Sequence, residues 1–194
     1  AYTPPVNAPT ANAGSNQSVA ALTTVTLDGT GSTDGDGTIV SYAWVETTST
    51  GVTLANANTA QPSFTTGLTA STATFQLTVT DNSGETDTAN VTITNAAYVY
   101  PTVADAAQSN IAAGATVTLT AAETAGQAAI VSREWTQTGT GDTVSFNATA
   151  QNPTFTATVA NDAQTLTFTK VVTDANGQVS LPATVTVNVL AQVV

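Results

Sequence analysis

The feature that most constrains this chain is that it repeats itself. Val25-Thr26-Leu27 returns as Val117-Thr118-Leu119, and Ile39-Val40-Ser41 with Trp44 returns as Ile130-Val131-Ser132 with Trp135. Pro62-Ser63-Phe64 returns as Pro153-Thr154-Phe155. Phe75 with Thr80-Asp81 and Gly84 returns as Phe168 with Thr173-Asp174 and Gly177, and Val91-Thr92-Ile93 returns as Val185-Thr186-Val187. The order never changes, and the offset stays between 91 and 94 residues of the 194. A unit of that length is domain-sized, so two tandem domains of common ancestry are expected.

Within each unit the apolar period is two. Phe75, Leu77 and Val79, then Val91 and Ile93, and in the second copy Val185, Val187 and Val189, alternate with Thr, Gln or Asn. Such alternation puts one strand face on a core and the other in water. Threonine suits the wet face because its β-branch favours extended backbone. Turn signals separate the strands: Asp28-Gly29, Gly35-Asp36-Gly37, Asp81-Asn82-Ser83-Gly84 and Asn176-Gly177. Several short strands per repeat without helical periodicity predict an all-β chain of two tandem immunoglobulin-like antiparallel β-sandwiches. The expected division is an extended Pro-rich lead over 1–10, a sandwich over 11–95, a linker over 96–102 and a second sandwich over 103–194. A linker tyrosine, Tyr98 or Tyr100, would either wedge between domain ends or seal the bottom of one domain.

Composition removes most chemistry. There is no His and no Cys, so a Ser–His triad, a Cys–His pair, a disulfide and a histidine-bound zinc are all excluded. The formal charge is −11, from 13 acids against only Arg133 and Lys170. Such a surface repels nucleic acid and anionic membrane, whose binding needs Lys and Arg. Lys170 is expected to face solvent. No segment reaches the roughly 18 apolar residues of a membrane span, so no membrane insertion is expected. The start at Ala1 fits either signal-peptide cleavage or removal of an initiator Met.

Domain 1 resembles the PKD-type domain, an immunoglobulin-like module of bacterial surface and secreted proteins. The residues that carry the resemblance are Ala11-Asn12-Ala13-Gly14, Val25-Thr26-Leu27-Asp28-Gly29, the run Gly31 to Ile39, Ser41-Tyr42-Ala43-Trp44, and Val79-Thr80-Asp81-Asn82-Ser83-Gly84. Where many such domains follow the Trp with an acid-and-glycine run, this chain has Val45-Glu46-Thr47-Thr48, and Thr136-Gln137-Thr138 after Trp135. That resembles the subtype with Trp-x-(Gln/Glu)-Thr. The second copy keeps the tryptophan but has Ala121 to Gly126 in place of the glycine-and-acid run, and is a degenerate PKD-like copy. The resemblance implies non-catalytic spacer, adhesive or display roles.

One cation site is a candidate. In an immunoglobulin topology the loops that hold Asp34 and Asp36 and that follow Asp81 lie at one end, where the lead brings in Asn7. Carboxylates and amide oxygens suit Ca²⁺, and the resemblance implies calcium at this end in some PKD-type domains. The same Asp and Gly residues also build Asx-turns without metal. In domain 2 only Asp174 persists, with Asp105 and Glu123 as possible substitutes. The two tryptophans are expected to be core anchors.

The function expected is a non-enzymatic structural or adhesive module on an extracellular surface, filament or particle, acting through a protein surface or a self-assembly partner. The alternatives are a virion decoration or appendage protein and the polysaccharide-binding accessory pair of a secreted hydrolase. Localisation would be extracellular, cell-surface or virion-surface. Ala1–Thr10 and Leu190–Val194 are candidates to pair with a neighbour's sheet edge.

Overall fold

The structure is a computed structural model that describes residues 7–158 and 162–192. The outer parts of the lead and of the tail, residues 1–6 and 193–194, lie outside the described residues. The chain divides into two compact units, Ala1–Tyr98 and Val99–Val194.

Unit 1 contains β1 (Gln17–Val19), β2 (Thr24–Thr26), β3 (Ile39–Glu46), β4 (Ser63–Thr65), β5 (Ser71–Asp81) and β6 (Thr86–Asn95). Four of them form a sheet in the order β1-β6-β5-β3, and β2 and β4 form a second ladder. Pairing is antiparallel except that β1 joins β6 in parallel. The alternation read from the sequence is what fills the space between the two sheets. Phe75, Leu77 and Val79 from β5 and Val91 and Ile93 from β6 meet Val25, Leu27 and Phe64 around Trp44. The tryptophan is buried, and its indole N–H donates to the Thr59 carbonyl at 3.2 Å, so its one polar atom costs nothing to bury.

Unit 2 contains β7 (Thr102–Val103), β8 (Ala106–Ile111), β9 (Thr116–Thr118), β10 (Glu123–Thr124), β11 (Ile130–Gln137), β12 (Thr154–Thr156), β13 (Gln164–Asp174) and β14 (Ala183–Val189). Its sheet order, β11-β13-β14-β8, mirrors that of unit 1, again with one parallel pair, β14 with β8. Smaller ladders join β12 to β9 and β10 to β7. Trp135 takes the place of Trp44, and its indole donates to the Ala150 carbonyl at 3.1 Å. Phe155 and Phe168 pack with ring centroids 5.3 Å apart, as Phe64 and Phe75 do at 5.0 Å in unit 1.

Three local devices recur in both units. The ladders β3–β5 and β11–β13 each skip register between Ile39 and Ser41 and between Ile130 and Ser132, which bulges Val40 and Val131 into solvent. The strand-to-strand turn after each long strand is organised by a buried aspartate. Asp81 Oδ1 accepts from the amides of Ser83 and Glu85, and Asp174 Oδ1 accepts from those of Asn176 and Gln178. Gly84 and Gly177 close these turns at φ +93° and +76°, where a side chain would be strained. Finally, the Glu or Gln after each tryptophan ties down the next loop. Glu46 accepts from the amides of Thr48 and Thr50, while Gln137 donates to the Asp142 carbonyl and accepts from the Val144 amide.

On the solvent face of unit 1, β5 and β6 place like opposite like. The register pairs Thr72 with Thr94, Thr74 with Thr92, Gln76 with Asn90, Thr78 with Thr88 and Thr80 with Thr86. Two of these pairs have hydroxyl oxygens 3.2 and 3.4 Å apart. Cross-strand threonine pairs of this kind support a sheet by a few tenths of a kcal/mol up to about 1 kcal/mol each.

Candidate functional site

Two clusters of charged side chains stand out, one per unit. In unit 1 the glycine-rich loop between β2 and β3 lies beside the incoming chain. Thr10 and Thr33 form a backbone bridge through two hydrogen bonds of 2.7 and 3.0 Å. Beyond it, the Asn7 amide and side-chain nitrogen donate to Asp36 Oδ2 at 3.0 and 3.2 Å, and the Asp36 amide donates to Asp34 Oδ1 at 3.3 Å. Asn7, Asp36 and Asp34 are therefore linked, with Asn7 donating to a carboxylate and not offering its own oxygen.

Asp34 Oδ2 is buried and has no hydrogen-bond partner. A Cβ on Gly37 would collide with Asn82 Oδ1 and meet this oxygen at 2.6 Å, so two acceptor oxygens converge on the space over the glycine. Asn82 was missed by sequence reasoning. It is set by the turn, with its amide on the Thr38 carbonyl at 3.0 Å and its Oδ1 accepting from the Thr38 amide at 2.7 Å. Its signal was its place next to Asp81 in Asp-Asn-Ser-Gly.

Asp81 uses its Oδ1 on its own turn. The Ser83 hydroxyl, 2.7 Å away, is the main cause that holds its carboxyl below the usual range, and the neighbouring amides add to it against the opposing effect of burial. Asp174 repeats this arrangement in unit 2, which marks it as a property of the turn. Among the described residues, no three acidic side chains come together as a group that would hold a metal ion.

In unit 2 the expected substitutes are spent elsewhere. Asp105 Oδ1 accepts from the Thr184 amide at 2.6 Å. Glu123 is the hub of an ion triad: Arg133 grips it with both nitrogen positions at 2.7 and 2.8 Å, and Lys170 Nζ lies 2.6 Å from its Oε1. The expectation that Lys170 faces solvent is overturned, since it is 0 % exposed. Its ammonium also donates to the carbonyls of Ala121 and Gln151, both at 3.3 Å, and sits 4.8 Å over the Trp135 ring. The cause is register. Lys170 shares strand parity with Phe168 and Val172 and pairs with Trp135, as Leu77 pairs with Trp44 in unit 1. Burial alone would raise the Glu123 pKa, but the hydrogen bonds and charges of Arg133 and Lys170 outweigh it and hold Glu123 ionised.

Tyr98 is buried at the end of unit 1, its amide donating to the Leu68 carbonyl at 2.7 Å. An apolar concavity in unit 2 is lined by Tyr100, Pro101, Val103, Val179 and Leu181. No helix among the described residues is long and apolar enough to cross a membrane.

The fold and these clusters define a tandem immunoglobulin-like β-sandwich protein whose charged groups serve turns, loops and a core. Residues 13–94 match the model of the family described as "K319L-like, PKD domain", and the chain belongs to the PKD family through this first domain. It is similar to the solution structure of the PKD domain from KIAA 1837 protein, at 30 % identity over 50 % of this chain and 93 % of that one, with a TM-score of 0.41. The titin domains z1z2 in complex with telethonin align over 97 % of this chain and 98 % of theirs, at 17 % identity and a TM-score of 0.44. A nucleoside hydrolase-related hypothetical protein from Saccharophagus degradans aligns over 46 % of this chain and 26 % of its own length, at 20 % identity and a TM-score of 0.40. No curated protein matches the chain. PKD and immunoglobulin-like domains are typically non-catalytic modules that mediate protein–protein contacts.

Proposed function

We propose that this chain is a non-enzymatic structural or adhesive module displayed on an extracellular surface, filament or particle, where it acts through protein–protein contacts, and that unit 2 is a divergent second PKD copy. The observation that carries the reading is the PKD domain over residues 13–94. Charge supports it. Both cations of the chain are committed to Glu123, so the exposed charge is acidic, which keeps a displayed module soluble and free of nucleic acid and anionic lipid. The concavity at Tyr100 and Leu181, the latter 86 % exposed, suits an apolar protein contact. It favours protein over polysaccharide, because Tyr100 is the one aromatic exposed among the described residues and sugar stacking asks for several. The test is surface labelling: antibody to the chain should bind intact cells or particles, and external protease should remove the signal. Signal that appears only after lysis would refute display.

A second reading concerns calcium in unit 1. The orphaned Asp34 Oδ2, facing Asn82 Oδ1 across Gly37, supports a Ca²⁺ held by these two oxygens, with Asp36, Asn7 and Asp81 as neighbours of the site. Calorimetric titration of the whole chain with Ca²⁺ should show one site that Asp34→Asn removes. Absence of heat, or heat unchanged in Asp34→Asn, would dismiss it.

A further inference from the structure

We infer that the solvent face of the β1-β6-β5-β3 sheet in unit 1 is a self-association surface, packing face to face against the same sheet of a second copy. The inference rests on the reading of the chain as a contact module and names where one contact is made.

Charge supplies the first argument. Unit 1 has seven acids and no Lys or Arg. All seven lie in loops, at strand ends or on the inward parity of the strands, and none lies on this face. The five pairs of β5 and β6 are Thr, Gln and Asn throughout, and β3 continues the rows with Ser41 opposite Thr80, Ala43 opposite Thr78 and Val45 opposite Gln76. Two copies that each carry −11 repel wherever acids meet. This face is where they can approach without that penalty, and interface centres are characteristically depleted of charge.

The second argument is desolvation. Thr72 and Thr94, and Thr74 and Thr92, already share hydrogen bonds across the ladder. A hydroxyl satisfied within its own sheet loses less when water leaves, and the threonine methyl is then free to pack. Val45, 54 % exposed, and Ala43 add apolar surface in the same rows.

Area is the third argument. Ten paired residues at about 3.4 Å each and four strands about 4.8 Å apart give a face of roughly 500 Å² in projection. That lies toward the low end of interfaces that form specific complexes, so the dimer should be weak, with a Kd on the order of 10–100 μM. Sheets can pack in this way at a small mutual angle, each burying one pleated face.

Unit 2 supplies the contrast. Its face keeps Thr167 opposite Thr186 and Thr169 opposite Thr184, but Glu134 stands where unit 1 has Ala43. A single carboxylate there meets its own copy across a two-fold axis, so the inference is confined to unit 1.

The test is sedimentation equilibrium of the full chain at hundred-micromolar concentration. With that Kd the weight-average mass of the parent should rise to about 1.5–1.8 times 19.4 kDa, and association should strengthen as salt screens the acids. Ala43→Glu, which copies the residue of unit 2 at an exposed position, should return the chain to 19.4 kDa with an unchanged circular-dichroism spectrum. Asn58→Asp, an exposed charge off the face, should leave the dimer intact. A parent that stays monomeric, or a dimer that survives Ala43→Glu, overturns the inference. A monomer found on the exterior of cells or particles would sink this surface alone, whereas a dimer confined to the cell interior would sink the display reading alone.

Discussion

Glu123 offers the sharpest test of how unit 2 is held together. Glu123→Gln keeps the shape of the side chain and removes its charge, leaving Lys170 at 0 % exposure with only neutral acceptors and the face of Trp135 around its ammonium. Breaking a buried ion pair from one side costs about 3–5 kcal/mol, because the surviving charge keeps its desolvation penalty without compensation. Lys170→Leu removes the other side, and the outcome should differ. The Glu123–Arg133 fork survives, and leucine is what unit 1 places at the equivalent position, Leu77 against Trp44. Replacement of a buried ion by a well-packed apolar side chain is often near neutral, so Lys170→Leu should cost less than about 1 kcal/mol. A domain of this size has roughly 5–10 kcal/mol to lose, so Glu123→Gln should remove much of the stability of unit 2. Hydrogen exchange read by mass spectrometry locates the effect. Peptides of β11 and β13 should lose protection in Glu123→Gln, while those of β5 and β6 keep theirs. Equal protection in the parent and Glu123→Gln, or a Lys170→Leu variant weaker than Glu123→Gln, would show that the triad does not hold unit 2 together.

Other expectations follow from single contacts. The folded Glu123 carboxyl titrates below its ordinary value, so its contribution is fully present above that value and is lost as pH falls through the folded one. Acid unfolding should therefore reach unit 2 at a higher pH in Arg133→Gln, and an unshifted midpoint would contradict the triad. Gly126→Ala should destabilise unit 2 by about 2 kcal/mol or more in urea titrations, because its Cβ would collide with the Val99 carbonyl oxygen, which is backbone and cannot yield as a side chain would. Ser83→Ala should raise the Asp81 pKa toward the ordinary carboxylate range in an NMR titration, since the Ser83 hydroxyl is the largest cause of its depression.

Much of the fold was legible in the residues, and for a physical reason. An alternation such as Phe75-Gln76-Leu77-Thr78-Val79 admits one half-buried strand solution, and its repetition some 93 residues later fixes a second copy. The glycines at 84 and 177 likewise announce turns that need positive φ. What escaped was long-range pairing. Alternation in the strand from Phe168 to Val172 suggests a solvent-facing Lys170, yet the residue shares the inward parity of Phe168 and Val172 and is buried. The carboxylate that makes this burial tolerable lies 47 positions earlier in sequence, where no local pattern points to it. Asn82 gives little signal in the sequence, because it is uncharged and its position is set by its pairing with the Thr38 backbone. Asp81 spends its Oδ1 on the turn, whereas the neighbouring amide oxygen of Asn82 and Asp34 Oδ2 both border the space over Gly37. The first strand's parallel pairing with β6 was also beyond periodicity, which reports a face and says nothing of direction.

The proposed function places the chain at an exterior surface, in contact with protein neighbours. Electron cryo-microscopy of the native material tests it most directly. Paired sandwich densities should lie on the outside of a cell-surface layer, filament or particle, each touching protein neighbours. Densities found only as isolated molecules in the cell interior would contradict it.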